Sequence, residues 1–194
     1  MSNLDELSSL MESTTHKKLF DQRLIVLSEA ITSKSAKKII EQLLALEAED
    51  PAKDIWIFLN SPGGEVNSGF GIYDTIRFIR PEVKIIVTGL AASIATVILL
   101  AAETKHRYSL PNARLLIHQP LIGGNIQGQA SDIEIHAKEI LRTREKIAEL
   151  YNKETKQPLE RVRKDIERDY WMTAQEAQEY GLVNSIISSW NEVR

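Results

Sequence analysis

Short runs of β-branched and other apolar residues alternate with helical patterns along most of the chain. Residues 24–27, 55–59 and 84–88 are such runs, and their length and apolar character are typical of buried strands. Residues 33–49 and about 67–78 follow the first two runs and carry their apolar positions on one side, as amphipathic helices do. Because parallel strands need a crossover of this kind, the alternation predicts an α/β fold with a mainly parallel sheet and packed helices.

One uncharged stretch, residues 85–102, has the 18-residue length of a short membrane span. It divides at Thr88-Gly89 into a β-branched half and a half rich in Ala and Leu. This division is typical of a buried strand followed by a buried helix, so we expect a helix over about 92–102 and no membrane span. A further strand is expected over 115–118.

The composition is that of one globular domain without a strong charge bias. The 194 residues include 24 Lys and Arg against 27 Asp and Glu, for a net charge of −3. This balance gives no general attraction to nucleic acid or to anionic membranes. The chain has no cysteine, which excludes disulfides, thiol catalysis and cysteine-based metal sites, and we expect no metal site. The first fifteen residues resemble no signal peptide, so we expect a cytoplasmic protein.

A long helix is predicted in the last third of the chain. Residues 131–134 read Ser-Asp-Ile-Glu, a capping-box pattern, and helical patterning continues to about Lys156. This gives about 24 residues, or about 36 Å, as much as the diameter of a domain of this size. Its apolar positions form one stripe: Ile133, Ala137, Ile140, Ile147 and Tyr151. We expect the helix to project and to bury this stripe against a partner subunit; the alternative is a helix lying wholly across its own core.

Two residues are candidates for nucleophilic chemistry. His118 ends an apolar strand, and the carboxyl ends of strands are where α/β proteins collect catalytic groups. His16, His106 and His136 are interpreted as ordinary solvated residues. Ser93 begins a helix after a strand and has small neighbours, which resembles a nucleophile elbow; a plain N-cap serine is the alternative.

Adjacent glycines follow the second strand, in the sequence Ser61-Pro62-Gly63-Gly64. Glycines at a strand-to-helix junction expose backbone N–H groups, as an oxyanion hole requires, although a simple turn or a phosphate nest fits as well. The motif lacks the lysine of a P-loop, which argues against nucleotide binding. None of these signals is specific alone.

Taken in order, the motifs resemble those of ClpP, the family of Clp protease proteolytic subunits, which are serine peptidases of the crotonase-like fold. The resemblance runs over about 20–187. The matching segments are 60–64, 89–93, 110–112, 117–120, 127–130, 132–137, 167–169, 176–177 and 180–183.

The resemblance implies a role for each candidate. Ser93 would be the nucleophile, His118 the general base and Asp169 the acid that orients the histidine. The backbone N–H groups of Gly64 and Ile94 would form the oxyanion hole. Spacing alone does not distinguish Asp169 from the other acids of the segment, which are Glu160, Asp165 and Glu167.

The same resemblance implies an assembly. A handle over about 119–156 would stack two heptameric rings into a tetradecamer, and Glu167 and Arg168 would contact the opposite ring. Unfolded protein and peptide substrates would be threaded into the chamber by an AAA+ unfoldase of the Clp family. The chain itself would bind no cofactor. Trp56 and Phe58 match the positions where the unfoldase docks, with buried core as the alternative. Residues 1–18 would be a flexible axial segment before one peptidase domain at 19–194.

Some positions depart from the family pattern. Ile94 stands where Met is usual, and the loop over 121–127 is about two residues longer than the common form. These departures resemble a second paralogue found in some bacteria, which can be poorly active alone and work in rings mixed with a paralogous ClpP. Two hypotheses therefore follow, a serine endopeptidase and a regulatory or structural ring subunit. Acyl-CoA chemistry on the shared fold is a weaker third, since it does not call for a Ser-His-Asp set.

Overall fold

The computed structural model describes residues 3–121 and 129–193. Seven strands are found in these residues: β1 (Leu24–Leu27), β2 (Ile55–Ser61), β3 (Val83–Ala92), β4 (Arg107–Ser109), β5 (Arg114–Ile117), β6 (Tyr170–Thr173) and β7 (Ser185–Ile186). The helices are α1 (Asn3–Asp21), α2 (Ser33–Glu49), α3 (Val66–Phe78), α4 (Ile94–Leu99), α5 (Ala130–Thr155), α6 (Leu159–Asp165) and α7 (Ala174–Tyr180). Short 3-10 turns occupy Thr104–His106 and Trp190–Glu192.

The strands form one mainly parallel sheet in the order β1-β2-β3-β4-β7, which confirms the predicted fold class. Strand β3 is long enough to have two partners on one side. Its first part pairs with β4 and its last part, from Leu90 to Ala92, pairs with β5, both parallel. Strand β6 pairs antiparallel with β5. The predicted strand 84–88 therefore ends too early and the predicted helix 92–102 begins too early, because pairing with β5 keeps residues 90–92 extended.

Helices α2, α3 and α4 pack against the sheet around one main hydrophobic core. Helix α2 begins at a capping box between Thr32 and Ser35 and buries Ile39, Leu43 and Leu46. Each of these aliphatic side chains contributes about 1.5–3 kcal/mol through burial. The uncharged stretch 85–102 is divided between β3 and α4 as expected, and no helix in the described residues is long and apolar enough to cross a membrane.

Helix α5 behaves differently along its length. Its second half joins the core through Ile147 and Tyr151, whereas residues 131–139 are exposed. The expectation that the whole apolar stripe faces a partner subunit is therefore wrong for the second half of α5. The alternative, a helix lying wholly across its own core, is wrong for the first half. The predicted capping box is also wrong, since Gln129 is the N-cap residue and makes no side-chain cap bond. The projecting handle helix of the predicted fold is thus the first half of α5.

The C-terminal end of α5 is bound to the sheet through a buried arginine on β4. Arg107 on β4 is fully buried, and its guanidinium donates to the carbonyl oxygens of Ala102 (2.8 Å) and Leu100 (3.1 Å). It also forms an ion pair with Glu154, whose side chain is 10% exposed. These bonds fix where the second half of α5 lies over the sheet.

The first residues form a helix rather than an irregular segment. Helix α1 covers Asn3–Asp21, and Phe20 near its end packs against the main core. Residues 13–18 are exposed. The flexibility and axial position expected for 1–18, and the domain limits 19–194, stay predictions. The handle expected over about 119–156 includes residues 122–128, which lie outside the described residues.

Candidate active site

The carboxyl ends of three neighbouring strands meet at one edge of the sheet. Ser61 at the end of β2 pairs with Ala91 of β3, and Ala92 of β3 pairs with Leu116 of β5. The next residues after these pairs are the glycine motif, Ser93 and His118. The sheet register therefore brings together three segments that are far apart in sequence, as parallel α/β sheets do at functional sites.

Ser93 lies in a strained turn between β3 and α4. Its φ of 58° and ψ of −129° are uncommon for a residue with a side chain, and such a conformation costs on the order of 1–3 kcal/mol. Its N–H donates to the carbonyl of Leu116 at 2.9 Å, which holds the turn against β5. Ser93 stands at the N-cap position of α4, but its side chain makes no cap hydrogen bond. The geometry is that of a nucleophile elbow and not that of a capping serine.

His118 and Asp169 face each other across the antiparallel pair β5 and β6. Ile117 pairs with Tyr170, so the residues just beyond this pair are His118 and Asp169. His118 Nδ1 lies 3.2 Å from Asp169 Oδ1, and the two side chains are 13% and 64% exposed. A carboxylate at this distance favours the tautomer that carries its proton on Nδ1, which leaves Nε2 to accept a proton from another group.

Two of the other acids of the segment, Asp165 and Glu160, have different partners. Asp165 accepts a hydrogen bond from the hydroxyl of Tyr180 at 3.0 Å and lies near Arg161. Glu160 pairs with Arg163. The structure therefore places Asp169, and neither Asp165 nor Glu160, in an ion pair with His118. Spacing in the sequence could not distinguish these acids.

The remaining histidines are not all as expected. His16 and His136 are exposed, in agreement with the expectation of solvated residues. His106 is 9% exposed, and its Nε2 lies 2.8 Å from Glu82 Oε2. The interpretation of His106 as solvated is wrong, because the 3-10 turn before β4 folds it onto the segment that precedes β3. Its hydrogen bond to Glu82 lowers the pKa of that carboxyl.

Gly63 lies directly against the serine, and Gly64 lies against Ile31. A Cβ on Gly63, whose φ is +88°, would lie 2.7 Å from Ser93 Cβ. The neighbours of Gly64 bond to Ile31: Glu65 N–H donates to the Ile31 carbonyl, and Ile31 N–H donates to the Gly63 carbonyl. The N–H of Gly64 itself points away from Ile31, and in the described part of the chain neither this N–H nor that of Ile94 donates a hydrogen bond. Two N–H groups without another acceptor are what an oxyanion hole would use.

Ser93 and His118 both line a small cavity of about 10 Å³. Its other lining residues are Val66, Ile94, Val97, Pro120, Ile147 and Tyr151. On the other side of His118, a wider cleft of about 390 Å³ is lined by Gln119, Leu121 and residues 167–169. Glu167 and Arg168 are exposed at this cleft.

Trp56 and Phe58 lie away from this edge, in the first half and middle of β2. They belong to a separate aromatic cluster with Tyr108 and Trp190. Trp56 is 9% exposed, and its ring centroid lies 4.8 Å from that of Trp190 and 6.0 Å from that of Tyr108. Phe58 is partly buried, and its ring centroid lies 5.8 Å from that of Trp190. The structure thus does not bring these two residues together with Ser93.

Three residues beside the site were not singled out by sequence reasoning. Gln119 holds the segment after His118: its N–H donates to the Ile166 carbonyl at 2.6 Å and its side chain to the Glu167 carbonyl at 2.9 Å. Thr96 and Tyr151 are hydrogen-bonded to each other behind Ser93. The position of Gln119 next to His118 is a signal that could have found it, whereas Thr96 and Tyr151 have no such signal in the sequence.

In a comparison with protein-family models, residues 8–190 match the family described as Clp protease. The match covers most of the chain and includes every element from β1 to β7.

Proposed function

Since the chain belongs to the Clp protease family, we propose that it is a serine endopeptidase that hydrolyses peptide bonds of unfolded proteins. The observation that carries this proposal is the strained Ser93 at the mouth of a cavity shared with His118, whose imidazole is paired with Asp169. A hydroxyl, an imidazole and a carboxylate in this order are the parts needed for acyl transfer.

Each part has a defined role in the proposed reaction. His118 Nε2 takes the proton of the Ser93 hydroxyl as its oxygen attacks the peptide carbonyl, and the protonated imidazole then gives this proton to the leaving amine. Asp169 holds the imidazole in the required tautomer and stabilises its positive charge. Water then hydrolyses the acyl-enzyme by the same route.

The N–H groups of Gly64 and Ile94 would stabilise the tetrahedral intermediate. Ile94 directly follows Ser93, and Gly64 follows Gly63, which lies against Ser93; neither N–H has another acceptor among the described residues. Loss of one donor of this kind typically lowers the rate by about 10²–10³-fold. The side chain of Ile94 replaces the usual Met without affecting its N–H, and it forms part of the cavity wall.

The proposed assembly is two stacked heptameric rings fed by an AAA+ unfoldase of the Clp family, in the cytoplasm. The exposed first half of α5 carries Ile133, Ile135 and Leu141 at 42–60% exposure, an apolar surface that another subunit would cover. Glu167 and Arg168 would make ring-to-ring contacts beside Asp169. The cluster of Trp56 and Phe58 would receive the unfoldase, and it is Phe58 that offers the more accessible surface.

A second candidate is a ring subunit with little activity unless it is paired with a paralogous ClpP. The exposure of Asp169 favours it, because a side chain 64% exposed is constrained from few directions in the single chain. A neighbouring ring that packed on residues 167–169 would hold this carboxylate in place.

The test combines particle mass with labelling of the serine. The purified full chain is analysed by sizing chromatography with light scattering and is then treated with a fluorophosphonate, which reacts with activated serines. We expect a particle of about fourteen subunits that labels and hydrolyses peptides. Ser93→Ala should remove both signals and keep the particle mass, whereas the exposed Ser188→Ala should change neither. Unchanged hydrolysis in Ser93→Ala would refute the proposal, and an assembled particle that labels only after a paralogue is added would favour the second candidate.

A further inference from the structure

A chain of hydrogen bonds connects helix α5 to the strained serine. Thr96 Oγ1 donates to the carbonyl oxygen of Ser93 at 2.6 Å. The hydroxyl of Tyr151 on α5 lies 2.5 Å from the same Thr96 oxygen. Because a threonine hydroxyl has one proton and Thr96 uses it on Ser93, Tyr151 must be the donor in the second bond.

Both members of this pair are buried. Thr96 is fully buried and Tyr151 is 1% exposed. Burial raises the pKa of the Tyr151 hydroxyl far above its ordinary value, so this group keeps its proton and remains a donor. A buried hydroxyl with a fixed partner has one favoured position, and the aromatic ring that carries it is held in place as well.

The ring of Tyr151 forms part of the wall of the cavity beside Ser93. Its other walls are aliphatic, from Ile94, Val97 and Ile147. The volume of about 10 Å³ is near the minimum that holds one water molecule, whereas a cavity that holds a benzene ring has about 150 Å³. A methyl group fits such a space with small adjustments, and a leucine or phenylalanine side chain does not.

We propose that Tyr151 is a specificity-determining residue whose ring closes the pocket beside Ser93 and restricts cleavage to peptide bonds that follow small side chains such as alanine. The inference rests on the proposed peptidase function and adds the class of substrate. The proposed nucleophile and its base both line the cavity, so the side chain next to the attacked carbonyl is the one placed to enter it.

The test uses three fluorogenic peptides that differ only in the residue before the cleaved bond, which is alanine, leucine or phenylalanine. With the full chain in its assembled form, we expect kcat/KM for the alanine peptide to exceed that for each of the others by about tenfold or more. Tyr151→Met replaces a rigid ring by a flexible side chain that can move out of the pocket. We expect this change to raise the ratio of kcat/KM for the leucine peptide to kcat/KM for the alanine peptide by about tenfold.

Tyr151→Phe is the matched control, since it keeps the ring and removes only the hydroxyl. We expect the alanine preference to remain in this variant. Equal rates for the three peptides in the unmodified chain would overturn the inference, and this result does not depend on whether any variant folds. An unchanged ratio in a folded Tyr151→Met would overturn it as well.

Fluorophosphonate labelling separates this inference from the proposed function. A chain that labels at Ser93 but shows no alanine preference contradicts the inference alone. A chain that neither labels nor cleaves any of the peptides contradicts both.

Discussion

Replacing Asp169 by asparagine tests the assignment of the acid and the influence of its exposure. The change keeps the size of the side chain and removes its negative charge. At 3.2 Å, a carboxylate and an imidazolium attract each other by about 1 kcal/mol in water and about 5 kcal/mol at an effective dielectric of 20. With Asp169 64% exposed and His118 13% exposed, the pair lies between these limits, at about 3 kcal/mol.

This energy corresponds to a loss of about 10²-fold in the rate of acylation. In trypsin, where the corresponding acid is buried and the asparagine also leaves the histidine in the wrong tautomer, the same change lowers kcat by about 10⁴-fold. We therefore expect Asp169→Asn to hydrolyse an alanine peptide about 10²-fold more slowly than the unmodified chain. KM should change little, because Asp169 acts through His118 and not on the bound peptide.

The assay measures peptide hydrolysis and the rate of fluorophosphonate labelling on particles of equal mass. Asp165→Asn is the matched control, since this acid lies four residues earlier and bonds to Tyr180 instead of His118. We expect it to keep nearly full activity. A loss of less than threefold in Asp169→Asn, or a greater loss in Asp165→Asn, would show that another group supports His118 and that the argument from exposure is wrong.

The fold could be predicted from local patterns because hydrophobic burial determines them. The alternation of short apolar runs with amphipathic segments was sufficient for the parallel sheet. It was not sufficient for the ends of β3 and α4, since small residues such as Ala91 and Ala92 suit a strand and a helix almost equally. Their pairing with β5, a contact distant in sequence, decides between the two.

In the site, too, some features follow from the local sequence and others depend on contacts between residues far apart in the chain. His118 could be predicted from its place at the end of a strand. The position of Asp169 beside His118 depends on antiparallel pairing of β5 with β6, which spacing does not reveal. The backbone of Ser93 could not be predicted either, because a serine at an elbow and a serine at an N-cap share one local pattern. Helical periodicity places Tyr151 on a partner-facing stripe, and only the packing of α5 against α4 turns it toward Thr96.

Two further substitutions test the backbone of the site and the anchor of α5. Gly63→Ala places a Cβ 2.7 Å from Ser93 Cβ at a φ of +88°, so we expect labelling to slow by roughly tenfold or more; labelling at the normal rate would show that the turn adapts. Glu154→Ala leaves the buried guanidinium of Arg107 without its counter-charge, a change that costs about 3–5 kcal/mol. For a chain of this size, the midpoint temperature of thermal unfolding, measured at fixed protein concentration, should fall by about 6–20 °C. The exposed Glu149→Ala on the same helix should move it by less than about 2 °C, because an exposed side chain away from such features contributes within about 0.5 kcal/mol. Equal shifts in the two variants would mean that the carbonyl oxygens around Arg107 are enough to compensate its charge.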